Sequence, residues 1–466
     1  MRPFEASIPY SPWAGEYVVG TRKRWDMARI TRRDFNKIAF GAGAVTAAGL
    51  ISRPALAEGP AKIVIIGGGP GGATVANRLI AANPALDITL IEPKENYTTC
   101  FYSNHFIGGF RTFQSITHTY DGVKKRGIKV VTDSAAAIDT SLKTVTLAKA
   151  GSTLAYDRLV VAPGIDLKFD SIEGYSEAAA EIMPHAWQGG QQTWLLKEKL
   201  LALPEGGNVV MSAPPNPYRC PPGPYERACM IAHFLKTKKP NSKLIIFDAK
   251  KTISKQPVFE EAFRDMYKDV VELNLTNEID DFTVTKVNPA TGEVTTKSGR
   301  TEKAALANII PAQKAGAIAA KAGLTEGDWC PVNPDNFTSM KAKDVYVLGD
   351  AAISADMPKS AFSAASQGGV VAADILADLG GKDRKPGQYR NTCWSMVGPD
   401  NSAKIGADYK AGKKDGKGFL EASAPFVSKA GETAEVRRET YQESANWYDS
   451  FTADLFGKDV AAKAAP

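Results

Sequence analysis

One stretch limits the fold of this chain more than any other: "AKIVIIGGGPGGATVANRLIAANPALDITLIEP", residues 61–93. Lys62–Ile66 is an apolar, β-branched run that predicts a buried strand. Gly67, Gly69 and Gly72 follow in G-x-G-x-x-G spacing, and a helical pattern opens at Ala73. Gly67 permits the tight turn. Gly69 lets backbone N–H groups approach a pyrophosphate, and Gly72 allows close helix–strand packing. A second strand, Ile88–Ile91, ends in Glu92, twenty residues past Gly72. A carboxylate there accepts hydrogen bonds from ribose hydroxyls and repels a 2′-phosphate. Together these features predict a Rossmann-type dinucleotide site rather than a glycine-rich turn.

Two later stretches favour FAD over NAD as the nucleotide. "YDRLVVAPG" (Tyr156–Gly164) reads as a strand ending in a small-residue turn, and "KDVYVLGDAA" (Lys343–Ala352) as a strand ending in Gly349-Asp350. Both resemble segments of the two-dinucleotide-fold flavoproteins, where the Gly-Asp aspartate bonds the ribityl chain of the flavin. The alanine-rich run Ser360–Leu379, interrupted only by Gly368-Gly369, predicts a helix whose N-terminus stabilises negative charge on a reduced flavin. Asp350 as a simple helix N-cap is the alternative.

In that architecture a second Rossmann unit binds NAD(P)H, and here it spans roughly 173–311. Its first strand, Asn208–Ser212, runs into Ala213-Pro214-Pro215-Asn216-Pro217. Proline offers no N–H to a phosphate and excludes the backbone angles glycine supplies. The fold persists, since Ser242–Lys250 reads as the next strand, but no NAD(P) binding is expected. Cys220 follows in "RCPPGPYER", on a stiff loop before a helix that starts near Tyr225-Glu226-Arg227. A loop cysteine between Arg and Pro suits core packing poorly; Cys229, on the following helix, fits a buried inert thiol.

Ahead of the first strand lies "TRRDFNKIAFGAGAVTAAGLISRPALA": Arg32-Arg33, a weakly apolar stretch from Ile38 to Ile51, and Ala55-Leu56-Ala57. This pattern predicts a twin-arginine leader, with Met27 a possible start, a mature N-terminus at Glu58 and a periplasmic product. Residues 1–57 carry +5 of the chain's +6, leaving the mature chain at +1. The basic balance therefore argues for neither nucleic acid nor an anionic membrane. No integral membrane segment is expected after leader removal. The five cysteines form no C-x-x-C and no haem-attachment motif, and with four histidines a metal site is not expected. An oxidising compartment permits disulfides, and spacing alone leaves their pairing open.

The stretches "IEPKENYTTCFYSN", "HTYDGVKKRGI", "VVAPGIDLKFDSIEGYS", "PHAW", "RCPPGPYERA", "DWCPV", "MPKSAFSAASQG" and "YRNTCWS" resemble the flavoprotein subunit of flavocytochrome c sulfide dehydrogenase, from about residue 61 to the C-terminus. The resemblance implies FAD held covalently through Cys100 by a thioether. It implies a redox-active disulfide between Cys220 and Cys393, although Cys330 could instead partner Cys220. Glu226 matches a carboxylate near the site that could handle protons, and Trp447 matches an aromatic that helps cover the flavin; ordinary core packing is the other reading of Trp447. The implied activity is sulfide oxidation with a c-type cytochrome subunit as acceptor in a heterodimer. Its rivals are a sulfide:quinone reductase and a non-catalytic flavoprotein partner of a sulfur-oxidation system.

The expected fold class is α/β: two Rossmann-like domains, one for FAD and one degenerate, with a C-terminal α+β interface region. The expected boundaries are a leader at 1–57, FAD-domain parts at 58–172 and 312–383, the NAD-like domain at 173–311, and a C-terminal domain at 384–466. Within the last, 407–418 reads as a solvated Lys/Gly-rich loop. Tyr441, Trp447, Phe451 and Leu455 read as one face of a helix packed on the body.

Overall fold

The computed structural model describes residues 59–275, 279–414 and 417–457. The expected leader, with its export signal and cleavage site, lies outside the described residues. Strand β1 (Lys62–Ile66) leads into helix α1 (Pro70–Ala82) and strand β2 (Asp87–Ile91). A short helix, α2 (Ser103–Gly108), and strands β3 (Lys129–Val131) and β4 (Arg158–Val161) follow. The middle of the chain forms β5 (Val209–Ala213), α3 (Gly223–Lys238), β6 (Leu244–Asp248), α4 (Gln256–Asp265), β7 (Val271–Asn274) and β8 (Leu306–Ile309). Then come β9 (Val345–Val347), α5 (Ala361–Leu379), the strands β10 (Gln388–Gly398), β11 (Asn401–Lys414) and β12 (Lys417–Val427), and helix α6 (Ala434–Phe456).

The first sheet has the order β9-β4-β1-β2-β3, all parallel, with Lys62 opposite Asp87 and Val64 opposite Leu159. Its central strands are apolar without alternation because helices cover both faces. Ile63, Ile65, Leu159 and Val160 are fully buried. Helix α1 begins at Pro70, three residues before the expected Ala73. Proline is well suited to a first turn, whose N–H groups have no intrahelical acceptor. Gly368 does not interrupt α5. A Cβ there would fall 2.8 Å from the carbonyl oxygen of Gly71, so glycine lets α5 cross close against α1.

The second sheet, β7-β6-β5-β8, is again parallel and confirms a second Rossmann-like unit. The third sheet, β10-β11-β12, is antiparallel. Here the structure corrects the sequence reading: residues 407–414 are not a loop but the second half of β11. Ala407 and Tyr409 are buried while Lys410 is exposed, a period-two alternation that the lysines and glycines obscure. Helix α6 packs on the body as expected. Tyr448, Phe451 and Leu455 are buried, and Asn77 and Arg126 donate hydrogen bonds to the carbonyls of Asp454 and Leu455.

Candidate active site

A cavity of about 480 Å³ opens at the carboxyl ends of β1, β2, β4 and β9, lined by Gly67, Gly69, Glu92, Gly164 and Asp350. Gly67 has φ +97°, and a Cβ there would sit 2.2 Å from the Ala162 carbonyl oxygen, so no other residue fits the turn. Gly72 is equally constrained: its Cβ would lie 2.0 Å from the Gly67 carbonyl oxygen. Glu92 accepts hydrogen bonds from the N–H groups of Gly68 at 2.9 Å and Lys94 at 3.1 Å. Burial pushes its pKa up, against those bonds and the Lys94 charge. Asp350 is also raised by burial, opposed by Arg219 and Lys359. Its Oδ1 is buried with no hydrogen-bond partner. An orphaned carboxylate oxygen in a cradle of glycines is what a ribityl hydroxyl would satisfy, and the cavity fits a flavin dinucleotide.

A second cavity, about 80 Å³, shares Cys100, Arg219, Ser360 and Ala361 with the first. It brings together Cys100, Cys220, Glu226, Cys393 and Trp447 from distant parts of the chain. Cys220 has φ +59°, and its N–H donates to the Lys359 carbonyl at 2.8 Å. Tyr102, which lines the same cavity, has φ +69°. Left-handed backbone at non-glycine residues costs on the order of 1 kcal/mol each and gathers at functional sites. Burial raises the Cys220 thiol most, and the neighbouring Cys393 adds to it. Burial also raises Cys393, opposed by Asn391, Lys255 and Ser360. The five sulfurs are not bonded to one another in this structure.

Burial alone would raise the pKa of Glu226. Hydrogen bonds from His105, Asn104 and the Met396 N–H outweigh it and hold the carboxyl below its usual range. Those contacts measure 3.5, 2.7 and 2.9 Å. Glu226 is thus a fixed anion near neutrality. Trp447 stacks between Phe362 and Phe451, with ring centroids 5.9 and 4.7 Å away, and lies 4.9 Å from Trp394. It lines the cavity and packs the body at once.

Cys229 is buried inside α3, as expected of an inert thiol. Cys330 is also fully buried, bridges to Ala352, and is not among the residues lining the cavity of Cys220. Sequence reasoning gave no role to Arg219, whose guanidinium bonds the Trp187 carbonyl and lies 3.7 Å from Asp350. It also gave none to Lys255, buried behind Cys393, or to Asn104 and His105, which clamp Glu226. Arg219 carried a signal, its place beside Cys220; Lys255 carried none, because its neighbours come from β10 and β11.

In the second unit, Asp248 ends β6 as Glu92 follows β2. Its carboxylate is fully buried, 2.6 Å from the Lys250 ammonium and hydrogen-bonded by the Tyr225 hydroxyl at 2.7 Å. Lys250 also donates to the Pro214 carbonyl at 2.7 Å, tying down the proline loop. The acid and the loop that would receive a nucleotide are engaged with each other. Among the described residues no group of three or more His, Cys, Asp or Glu is arranged to hold a metal, and no helix is long and apolar enough to cross a membrane.

Comparison with known proteins agrees with this geometry. Residues 193–311 match the family model "Sulfide dehydrogenase [flavocytochrome c] flavoprotein chain, central", and 385–456 match "Flavocytochrome c sulphide dehydrogenase, flavin-binding". Residues 61–190 match "Pyridine nucleotide-disulphide oxidoreductase". The sulfide dehydrogenase [flavocytochrome c] flavoprotein chain of Chlorobaculum thiosulfatiphilum is 44% identical over 46 residues, 96% of that sequence and 10% of this chain. The chain belongs to the flavocytochrome c sulfide dehydrogenase flavoprotein family. The sulfide-quinone reductase of Aquifex aeolicus (strain VF5) is 34% identical over 179 residues, 38% of this chain and only 40% of that relative. The X-ray structure of the Aquifex aeolicus sulfide:quinone oxidoreductase superposes with a TM-score of 0.63 at 21% identity, covering 87% of this chain and 98% of the other. That likeness speaks for the fold, which in this flavoprotein family is the pyridine nucleotide-disulphide oxidoreductase fold with two parallel-sheet units.

Proposed function

We propose that the chain oxidises sulfide, taking electrons in through the sulfurs of Cys220 and Cys393 and passing them to a c-type cytochrome bound as a second subunit. One observation carries the reading: Cys100, Cys220 and Cys393, far apart in sequence, line a single small cavity that shares Cys100, Arg219, Ser360 and Ala361 with the dinucleotide cradle. FAD is the cofactor of this reading, held by Gly67, Gly69, Gly72, Glu92, Gly164 and Asp350 and tethered through Cys100. Bound there, the flavin supplies a two-electron acceptor beside the sulfurs.

The cysteine chemistry balances with one two-electron acceptor, the part given to the flavin above. Hydrosulfide attacks one sulfur of an oxidised Cys220–Cys393 pair; that S–S bond breaks as a new one forms, giving a persulfide and a thiolate. Release of the outer sulfur as S⁰ leaves a thiol and a thiolate; their re-oxidation to the pair gives up one proton and two electrons, for which the bound flavin would be the acceptor. Glu226 keeps a fixed negative charge beside the pair, and the aromatic wall of Trp394 and Trp447 limits water. The Asp248–Lys250–Tyr225 cluster supports a chain that does not draw on NAD(P). Export by the twin-arginine route to the periplasm belongs to the same reading.

The similarity to sulfide:quinone reductases favours a second reading in which the acceptor is a quinone. Steady-state assays with sulfide and either oxidised c-type cytochrome or a soluble quinone separate the two. Turnover with the cytochrome supports the proposal; turnover with quinone alone overturns it.

A further inference from the structure

We propose that Lys255 is a positioning residue that makes Cys393 the departing thiolate, so that the persulfide forms on Cys220. The inference rests on the sulfide-oxidising reading above.

Lys255 sits just before α4 with φ +57°, a left-handed conformation that lysine seldom adopts. The residue is only 4% exposed. The ammonium donates to the Cys393 carbonyl at 3.2 Å, the Ser395 hydroxyl at 2.7 Å and the Ala403 carbonyl at 3.4 Å. None of these partners is a carboxylate, so the buried cation has its counter-charge elsewhere. Burial lowers its pKa to about 8; Cys393 foremost, then Glu226 and Cys220, favour the charged form, and Arg437 opposes it. The ammonium is thus fixed on the backbone of Cys393, and a thiolate there is the neighbouring anion that favours its charge most.

The two sulfurs are not equivalent. Cys393 Sγ accepts a hydrogen bond from the Asn391 amide at 3.4 Å and is stabilised by Ser360, the N-cap of α5. Cys220 is flanked by Cys393, Glu226 and Cys100, which raise its thiol, against Lys255, which lowers it; Glu226 raises Cys393 as well, but only Cys393 has the Asn391 and Ser360 hydrogen bonds besides the lysine. The guanidiniums that sense Cys220 are engaged: Arg219 by Asp350 and the Trp187 carbonyl, Arg227 by Asn104, Asn308 and the carbonyls of His185 and Ala186. In thiol–disulfide exchange the better-stabilised thiolate leaves faster, which directs attack to the other sulfur. Hydrosulfide therefore bonds to Cys220 Sγ, the Cys220–Cys393 bond breaks, and its electron pair leaves on Cys393; the proton stays on the persulfide.

The test uses the full flavin-loaded chain in rapid mixing with sulfide. Wild-type protein must bleach its flavin; if it does not, the parent reading fails. Given bleaching, Lys255→Met is expected to slow it at least tenfold at pH 7 and to remove a high-pH falling limb near pH 8. Lys255→Arg is expected to restore most of the rate and move that limb upward. Independently, one equivalent of sulfide followed by rapid alkylation of the wild type is expected to leave the extra sulfur on the Cys220 peptide. A Lys255→Met rate and pH profile like wild type, or the extra sulfur on Cys393, overturns the inference while leaving the parent reading intact. The wild-type trapping decides the matter alone if the variant does not fold.

Discussion

The guanidinium of Arg219 stands 3.7 Å from the carboxylate of Asp350, joining the loop that carries Cys220 to the Gly349-Asp350 turn. Both groups are largely buried, and Asp350 keeps one oxygen without a partner. Removing one member of a buried pair leaves an uncompensated charge. Arg219→Ala is expected to cut the flavin-to-protein ratio of purified protein several-fold, read from the absorbance spectrum. Asp350→Asn is expected to lower it less, because an amide still meets a hydroxyl.

The Cys100 carbonyl accepts the Ser103 hydroxyl at 2.6 Å, a local turn that does not use the Cys100 sulfur. Cys100→Ser should therefore fold with an unchanged melting temperature. Its flavin is expected in the supernatant after acid precipitation, whereas wild-type flavin stays with the pellet.

Lys250 neutralises Asp248, which is fully buried. Lys250→Met strands that carboxylate, and a cost of about 3–5 kcal/mol is expected in denaturant unfolding. Tyr225→Phe removes only a hydroxyl donor and should cost about 1 kcal/mol. NADH is expected to leave the flavin of wild type and both variants oxidised.

How much of this was legible in the sequence follows from how local each feature is. The glycine turn, Glu92 and the parallel strand β2 lie within one short stretch, where covalent neighbours dictate the turn and the strand. The residues around Cys393 could not be read that way. Lys255 approaches from the end of a loop in the second unit, and Glu226 is held by two side chains of α2 and a backbone N–H of β10. Such contacts depend on how three units meet. The strand at 401–414 was hidden for another reason: its exposed face carries lysine and its buried face small residues, so composition imitates a loop.

His118 and His185 are each 4% exposed and sit below the usual histidine range, at about 4 and about 3, chiefly through burial. His185 Nδ1 accepts the Trp187 N–H at 2.9 Å, which requires the neutral ring. The unfolded chain binds protons near pH 6.5, before the folded one. Stability from these residues is complete above that pH and is lost as pH falls toward 4, on the order of 3 kcal/mol for His118. Unfolding free energy measured from pH 7 to pH 4 should fall, and less steeply in His118→Gln.

Anaerobic sulfide titration of the flavin absorbance, in wild type and in Cys220→Ser and Cys393→Ser, tests the central claim most directly. The account predicts bleaching of the wild type at about one sulfide per flavin and an unbleached spectrum in both serine variants. Bleaching of either variant at the wild-type rate would contradict it.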